Sequence, residues 1–150
     1  MDKIEILNQL WDIYQKESWH KTRLNRTEFD KYTEKLINDS NIIYYEKDGV
    51  ILGYVEFWRI NYEQFGRLIC NAPFSAYLEN VKDGNICYVA NVFILEEHRQ
   101  SSVVKILKYK FLANNNHCEY FVGEALRKKT QPVKVFNRIE FLERLGRNNG

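Results

Sequence analysis

The sequence predicts an α/β fold: a mixed, mostly antiparallel sheet with a parallel β-α-β unit at its centre and helices flanking it. Three observations carry this. An Asp48-Gly49 pair separates two β-rich runs, the mark of a hairpin and so of antiparallel pairing. Residues 85–126 read as strand, helix and strand, the pattern of a parallel crossover. Apolar residues recur at helical spacing in two segments ahead of the hairpin and again after Pro132.

In chain order, Ile4, Leu7, Trp11 and Tyr14 form a helical stripe over residues 3–17, widened by Ile6, Leu10 and Ile13, with Asp2 as N-cap. Thr27 heads Thr-Glu-Phe-Asp and is expected to cap a second helix. Phe29, Tyr32, Leu36 and Ile37 line its face, and Asn38-Asp39-Ser40-Asn41 ends it. Ile42-Ile43-Tyr44-Tyr45 is the outgoing strand of the hairpin. Asp48-Gly49 supplies the two positive-φ positions of a type I′ turn, and Val50 to Ile60 returns, with Gly53 a bulge candidate. Residues 61–84 read as an insertion. Phe65, Leu68 and Ile69 start a short helix, Pro73 and Gly84 interrupt, and further helix is expected around residues 74–81.

Residues 85–95 are apolar on both faces, which predicts a central strand covered on both sides. Ser101 or Ser102 caps the helix that follows, which carries Val103, Val104, Ile106, Leu107, Phe111 and Leu112. Asn114-Asn115-Asn116 stops it, and residues 119–126 form the next strand. After Pro132, Val135, Ile139 and Leu142 predict a short C-terminal helix, although Val133, Val135 and Phe136 also suit a strand.

Composition narrows the class. The 150 residues suit one domain spanning 1–150, and 45% apolar with 28% charged residues is ordinary globular usage. No apolar run is long enough to span a bilayer, so no membrane association is expected. The N-terminus carries acids where a signal peptide needs positive charge, and Cys70, Cys87 and Cys118 form no C-x-x-C pair. A reducing cytoplasm is therefore expected, without a zinc or redox motif, and no metal is assigned. The net charge of +2 hides an asymmetry: residues 1–96 hold 11 Lys+Arg against 15 Asp+Glu, and residues 97–150 hold 11 against 5. A basic C-terminal third suits a phosphate-bearing ligand. Nucleic acid is not expected, because no Lys or Arg ladder interleaves with Trp58, Tyr62 and Phe65. High Lys, Asn, Ile and Tyr usage suits an AT-rich genome, as of a virus.

The element order, together with Val92-Phe93-Ile94-Leu95-Glu96-Glu97-His98-Arg99, resembles the GCN5-related N-acetyltransferase (GNAT) family. That family reads apolar strand, then V-x-P-x-x-R-G-x-G-x-G/A, then helix. Ile94 stands at the Val position, Glu96 at the Pro and Arg99 at the Arg; Gln100, Ser102 and Val104 stand at the glycines. Phe141-Leu142-Glu143-Arg144-Leu145-Gly146 looks like the family's F-Y-E-K-L-G-F run, with Leu142 at the frequent general-acid tyrosine. The shorter toxin-activating acyltransferases are also similar, and their His and Asp would correspond to His20 and Asn91.

The resemblance implies acetyl-CoA or another acyl-CoA as co-substrate and an amine acceptor. The first N–H groups of a helix lack intrahelical partners and favour an anion, which is why a pyrophosphate sits there. It implies a cradle of Arg99, Ser101, Ser102, Val103, Val104 and Lys105, with the pantetheine arm along Val92 to Ile94. Glu124, toward the C-terminal end of its strand, is the expected general base. Tyr120, or Tyr88, is the expected proton donor to the leaving thiolate, and His20 lies in a loop that would border the acceptor. A catalytically silent structural or protein-interaction module on the same fold is the alternative.

Overall fold

The computed structural model describes residues 1–17, 24–70, 81, 83–124 and 133–140. In order these form α1 (Lys3–Glu17), α2 (Arg26–Asn38), β1 (Ile42–Lys47), β2 (Val50–Ile60), α3 (Tyr62–Ile69), β3 (Ile86–Ile94), a 3-10 turn (Glu96–His98), α4 (Ser102–Asn114), β4 (Tyr120–Glu124) and β5 (Val133–Asn137). The strands form one five-stranded sheet in the order β1-β2-β3-β4-β5. β1 and β2 are antiparallel, β3 and β4 parallel, and β4 and β5 antiparallel. Leu95 N–H donates to Leu52 O, and Asn91 bonds Glu56, so β2 and β3 also run in opposite senses. The mixed, mostly antiparallel α/β class and the adjacent parallel pair are as the sequence predicts. No described helix is long and apolar enough to cross a membrane.

Two compact units divide the chain: Met1–Glu56 with Asn91–Phe111, and Phe57–Ala90 with Leu112–Gly150. In the first, Leu10 and Ile13 of α1, Phe29 of α2, Ile51 and Tyr54 of β2 and Phe93 of β3 form one buried cluster. Aromatic rings dominate it. Phe29 lies 5.1 Å from both Trp11 and Tyr14, and Tyr54 lies 5.1 Å from Phe93. In the second unit, Ile60, Leu68, Ile86 and Val122 form a core flanked by Phe65, Tyr88 and Tyr120.

Local chemistry fixes the ends of these elements. Asp2 caps α1 by accepting from Glu5 N–H at 2.9 Å. The cap of α2 is Asn25, not Thr27: Asn25 and Glu28 exchange side chain-to-backbone bonds at 2.9 and 3.1 Å, a full capping box. The reciprocal Glu at the third helical position, absent from the Thr27 frame, decides the start. Asn25→Ala should cost about 1 kcal/mol, read as a lower urea midpoint at unchanged slope. Asp48 and Gly49 have φ of 53° and 79°, as a type I′ turn requires. Leu52 is the extra residue where the β1–β2 register shifts, one position before Gly53. At Gly53 itself a Cβ would stand 3.1 Å from Leu107 Cδ1 and from Phe93 O, so close packing of α4 explains that glycine.

Two further expectations change. The segment after Pro132 is strand β5, paired along its length with β4. Val133 and Val135 are β-branched, and the free edge of β4 offers hydrogen bonds that an isolated short helix lacks. Helical backbone begins only at 138–140, where Asn137 accepts from Glu140 N–H at 2.8 Å. Second, β3 is central but not covered throughout: Ile86, Cys87 and Phe93 are buried, while Val92 is 55% exposed. The helix predicted around 74–81 falls almost wholly outside the described residues, as do His20 and the 141–146 run.

Candidate functional site

The first candidate feature is the turn joining β3 to α4. The parallel ladder runs from Ile86↔Tyr120 to Val89↔Gly123, and β3 continues to Ile94, where the turn begins. Among the predicted cradle residues, Ser102 and Lys105 are exposed on the first turn of a 13-residue helix, while Val104 and Ile94 are half-buried. Val103 is buried, so only its backbone can serve a ligand. Its N–H already donates to Ser101 Oγ at 3.2 Å, and Ser101 Oγ donates to His98 O at 2.7 Å. The cap expected at Ser101 is therefore present.

Arg99 is engaged as well. Its guanidinium pairs with the Glu17 carboxylate and donates from Nε to Ile94 O at 3.3 Å. The second Glu17 oxygen accepts from Glu96 N–H at 3.3 Å. Only 9% of the Glu17 side chain is exposed. A carboxylate from the last residue of α1 thus sits where a guanidinium and a backbone N–H converge at this turn. This contact spans the chain from residue 17 to residue 99, and no local pattern announces it.

The second feature is Glu56, in the middle of β2 and 2% exposed. Asn91 Nδ2 of β3 donates to its Oε2 at 2.9 Å, and Tyr32 of α2 donates from its hydroxyl at 3.3 Å. Burial pushes the carboxyl up from 4.5 to about 7, with the two hydrogen bonds opposing that rise. Tyr54, two residues earlier on the same strand face, has a buried hydroxyl with no hydrogen-bond partner among the described residues. Its phenol is pushed far above the ordinary tyrosine range by burial, then by the charge of Glu56. The sequence reading passed over Glu56. Its signal is a carboxylate inside Val50–Ile60, a run otherwise apolar on both faces except for Arg59.

Two more of the predicted residues lie on β4. Glu124 closes β4, paired in register with Val133. Tyr120 opens the same strand, and its ring stacks on Phe65 with centroids 6.2 Å apart. Four steps at about 3.3 Å separate their backbones, so they occupy opposite ends of β4. The Tyr120 ring thus has Phe65 as a packing partner. Tyr88 is half-buried against the second-unit core. Among the described residues no group of three or more His, Cys, Asp and Glu side chains converges to hold a metal.

No protein-family model matches the chain, and no curated protein matches it in sequence. Solved structures resemble it nonetheless. An N-acetyltransferase from Staphylococcus aureus Mu50 matches with TM-score 0.59 at 14% identity, over 97% of this chain and 79% of that one. The loading GNATL domain of CurA from Lyngbya majuscula matches at 0.58 and 16% identity, over 87% and 68%. The GphF GNAT-like decarboxylase, solved with isobutyryl-CoA, matches at 0.58 and 14% identity, over 81% and 62%. At such identities the shared property is the fold.

Proposed function

From the premise that this chain has the GCN5-related N-acetyltransferase fold, we propose that it is an acyl-CoA-dependent N-acyltransferase with a glycine-free pyrophosphate turn. The observation that carries this reading is Glu56: a buried carboxyl poised near neutrality, bonded to Asn91 beside the exposed Val92. A base with a pKa near the working pH is what amine attack on a thioester requires. In this reading the amine nitrogen attacks the thioester carbonyl carbon, Glu56 accepts the amine proton directly or through water, and the carbon–sulfur bond breaks. Val92 to Ile94 lie along the pantetheine arm. Arg99, Ser101, Ser102 and Lys105, with the backbone of Val103 and Val104, hold the pyrophosphate. Glu56 takes the base role in preference to Glu124. His20 and Tyr120 remain proposals for the acceptor border and the thiolate donor.

These residues fit a phosphate group in part. The exposed Ser102 and Lys105 side chains suit it, whereas the Ser101 hydroxyl and Val103 N–H are engaged in the helix cap and Arg99 and Glu96 N–H are engaged by Glu17. That engagement favours a second reading, a catalytically silent interaction module on the same fold. Thermal shift with acetyl-CoA and longer acyl-CoAs at up to about 1 mM separates the two, since substrate constants rarely exceed that range. An enzyme shows a shift that Arg99→Ala and Ser102→Pro diminish. In the enzyme reading, Glu17→Gln should tighten CoA binding roughly tenfold by freeing the guanidinium from a charged competitor. A silent module shows no shift in wild type or in Glu17→Gln.

A further inference from the structure

In the second unit, the start of β4 and the end of β5 wall an open cavity of about 390 Å³, a size that suits a small molecule. Glu119 and Arg138 both line it. They stand opposite each other one step beyond the Tyr120↔Asn137 pair, and Arg138 N–H donates to Glu119 O at 2.9 Å. Side chains opposed in this way have Cβ atoms about 4.5–5.5 Å apart, and opposite charges there ordinarily join. These two do not, because each is held by other groups. Arg138 Nη1 donates to Asn115 O at 3.1 Å and to Cys118 O at 3.3 Å. Glu119 Oε2 accepts from the hydroxyl of Tyr62, the first residue of α3, at 2.5 Å. Among the described residues nothing bonds Arg138 Nε, Arg138 Nη2 or Glu119 Oε1. The rest of the wall is partly apolar. Ile139 is 70% exposed, and the Tyr120 ring is backed by Phe65.

We propose that this cavity binds a free α-amino acid with an apolar side chain, its carboxylate on Arg138 and its ammonium on Glu119. Two opposite charges held side by side and kept from pairing form a receptor for a ligand that carries both. A simple anion placed on the guanidinium would meet the Glu119 carboxylate, and a simple cation placed on Glu119 would meet Arg138. A zwitterion with both charges on one carbon answers the two together. The geometry of the guanidinium supports the carboxylate end. Nη1 is committed to the two carbonyls, which leaves the Nε and Nη2 edge, and two parallel N–H donors are what a carboxylate accepts in a bidentate pair. The Tyr62 hydroxyl fixes one oxygen of Glu119 and leaves the other for the ammonium. Both charged side chains are thus anchored before the ligand arrives, so little of their freedom is lost on binding. Ile139 and the Tyr120 ring offer apolar surface to the ligand's side chain.

The test titrates the purified full chain with L-phenylalanine and with L-leucine and follows the backbone amide signals by heteronuclear NMR. Two analogues accompany them: N-acetyl-L-phenylalanine, which lacks the ammonium, and L-phenylalaninamide, which lacks the carboxylate. The expected result is a saturable shift centred on the amides of residues 116–120 and 137–139, with each analogue weaker than L-phenylalanine by at least about tenfold for the charged contact it lacks. Glu119→Gln keeps an acceptor for Tyr62 and should erase the preference for L-phenylalanine over its acetyl form. Arg138→Lys keeps the charge but loses the fork, and should weaken L-phenylalanine by about tenfold. No saturable shift with either amino acid, or shifts centred elsewhere, overturns the proposal. An acetyl form that binds as tightly as L-phenylalanine makes the cavity an anion site, and an amide that does so makes it a cation site; either result also overturns it. The wild-type series decides the matter even if a variant fails to fold. CoA takes no part in it, so the outcome stands apart from the acyltransferase reading.

Discussion

Glu56→Gln should lower acyl transfer by about 10²- to 10⁴-fold while making the protein more stable above neutral pH. The two effects have one cause. The carboxyl rises from 4.5 in the unfolded chain to about 7 in the folded one because it is buried. A raised acid is neutral in both states below the lower value, so its stability contribution is intact there. Between the two values the unfolded chain ionises and the native one resists. Stability therefore falls with rising pH across that window and levels off above it, by about 3 kcal/mol in total. Gln has no such slope and keeps an acceptor oxygen for Asn91 and Tyr32. Urea unfolding at acid and at alkaline pH should show wild type and variant converging at the acid end and diverging at the alkaline one. Parallel pH profiles would remove Glu56 from both roles. Activity lost equally in Glu124→Gln, with Glu56→Gln unaffected, would return the base to β4.

Gly84→Ala should be the most damaging single methyl in the described residues. A Cβ there would lie 2.4 Å from Ile60 O and 2.7 Å from Ile60 C and N. These are backbone atoms, and Ile60 is fully buried among Leu68, Ile86 and Val122, so neither side can yield cheaply. The expected loss is about 2–4 kcal/mol, or roughly 5–15 °C in melting temperature. Gly66→Ala is the matched control. Its added methyl meets nothing within 4 Å and sits inside α3, so it should stabilise by up to about 1 kcal/mol. A Gly84 variant that melts with wild type would mean the segment before β3 can move away from β2.

The elements legible in the sequence are those whose cause is local. Asp48-Gly49 carries its turn in its own φ preference, and the stripe from Leu7 to Ile13 carries α1 in its spacing. Even local chemistry misled once, where Thr27 looked like a cap but Asn25 had the reciprocal Glu28. Residues 133–137 were ambiguous because their helical spacing and their β-branching are both real, and only the open edge of β4 decides between them. The cap at Ser101 was legible. The Glu17 carboxylate at the same turn was not, since a salt bridge between residues 17 and 99 follows from how α1 packs. Glu56 shares that property: it gains its character from burial and from Asn91 and Tyr32, which no window of sequence contains.

The Glu17–Arg99 pair also bears on how an anion would approach this turn. A guanidinium already neutralised by a carboxylate casts little field beyond the Debye length of about 8 Å. Long-range attraction then falls to cations with no ion pair among the described residues, such as the exposed Lys105 on α4. Arg99 would act late, after an incoming phosphate had exchanged places with the carboxylate. Capture and grip are thereby assigned to different residues, so the association rate would follow Lys105 and the lifetime of the complex would follow Arg99.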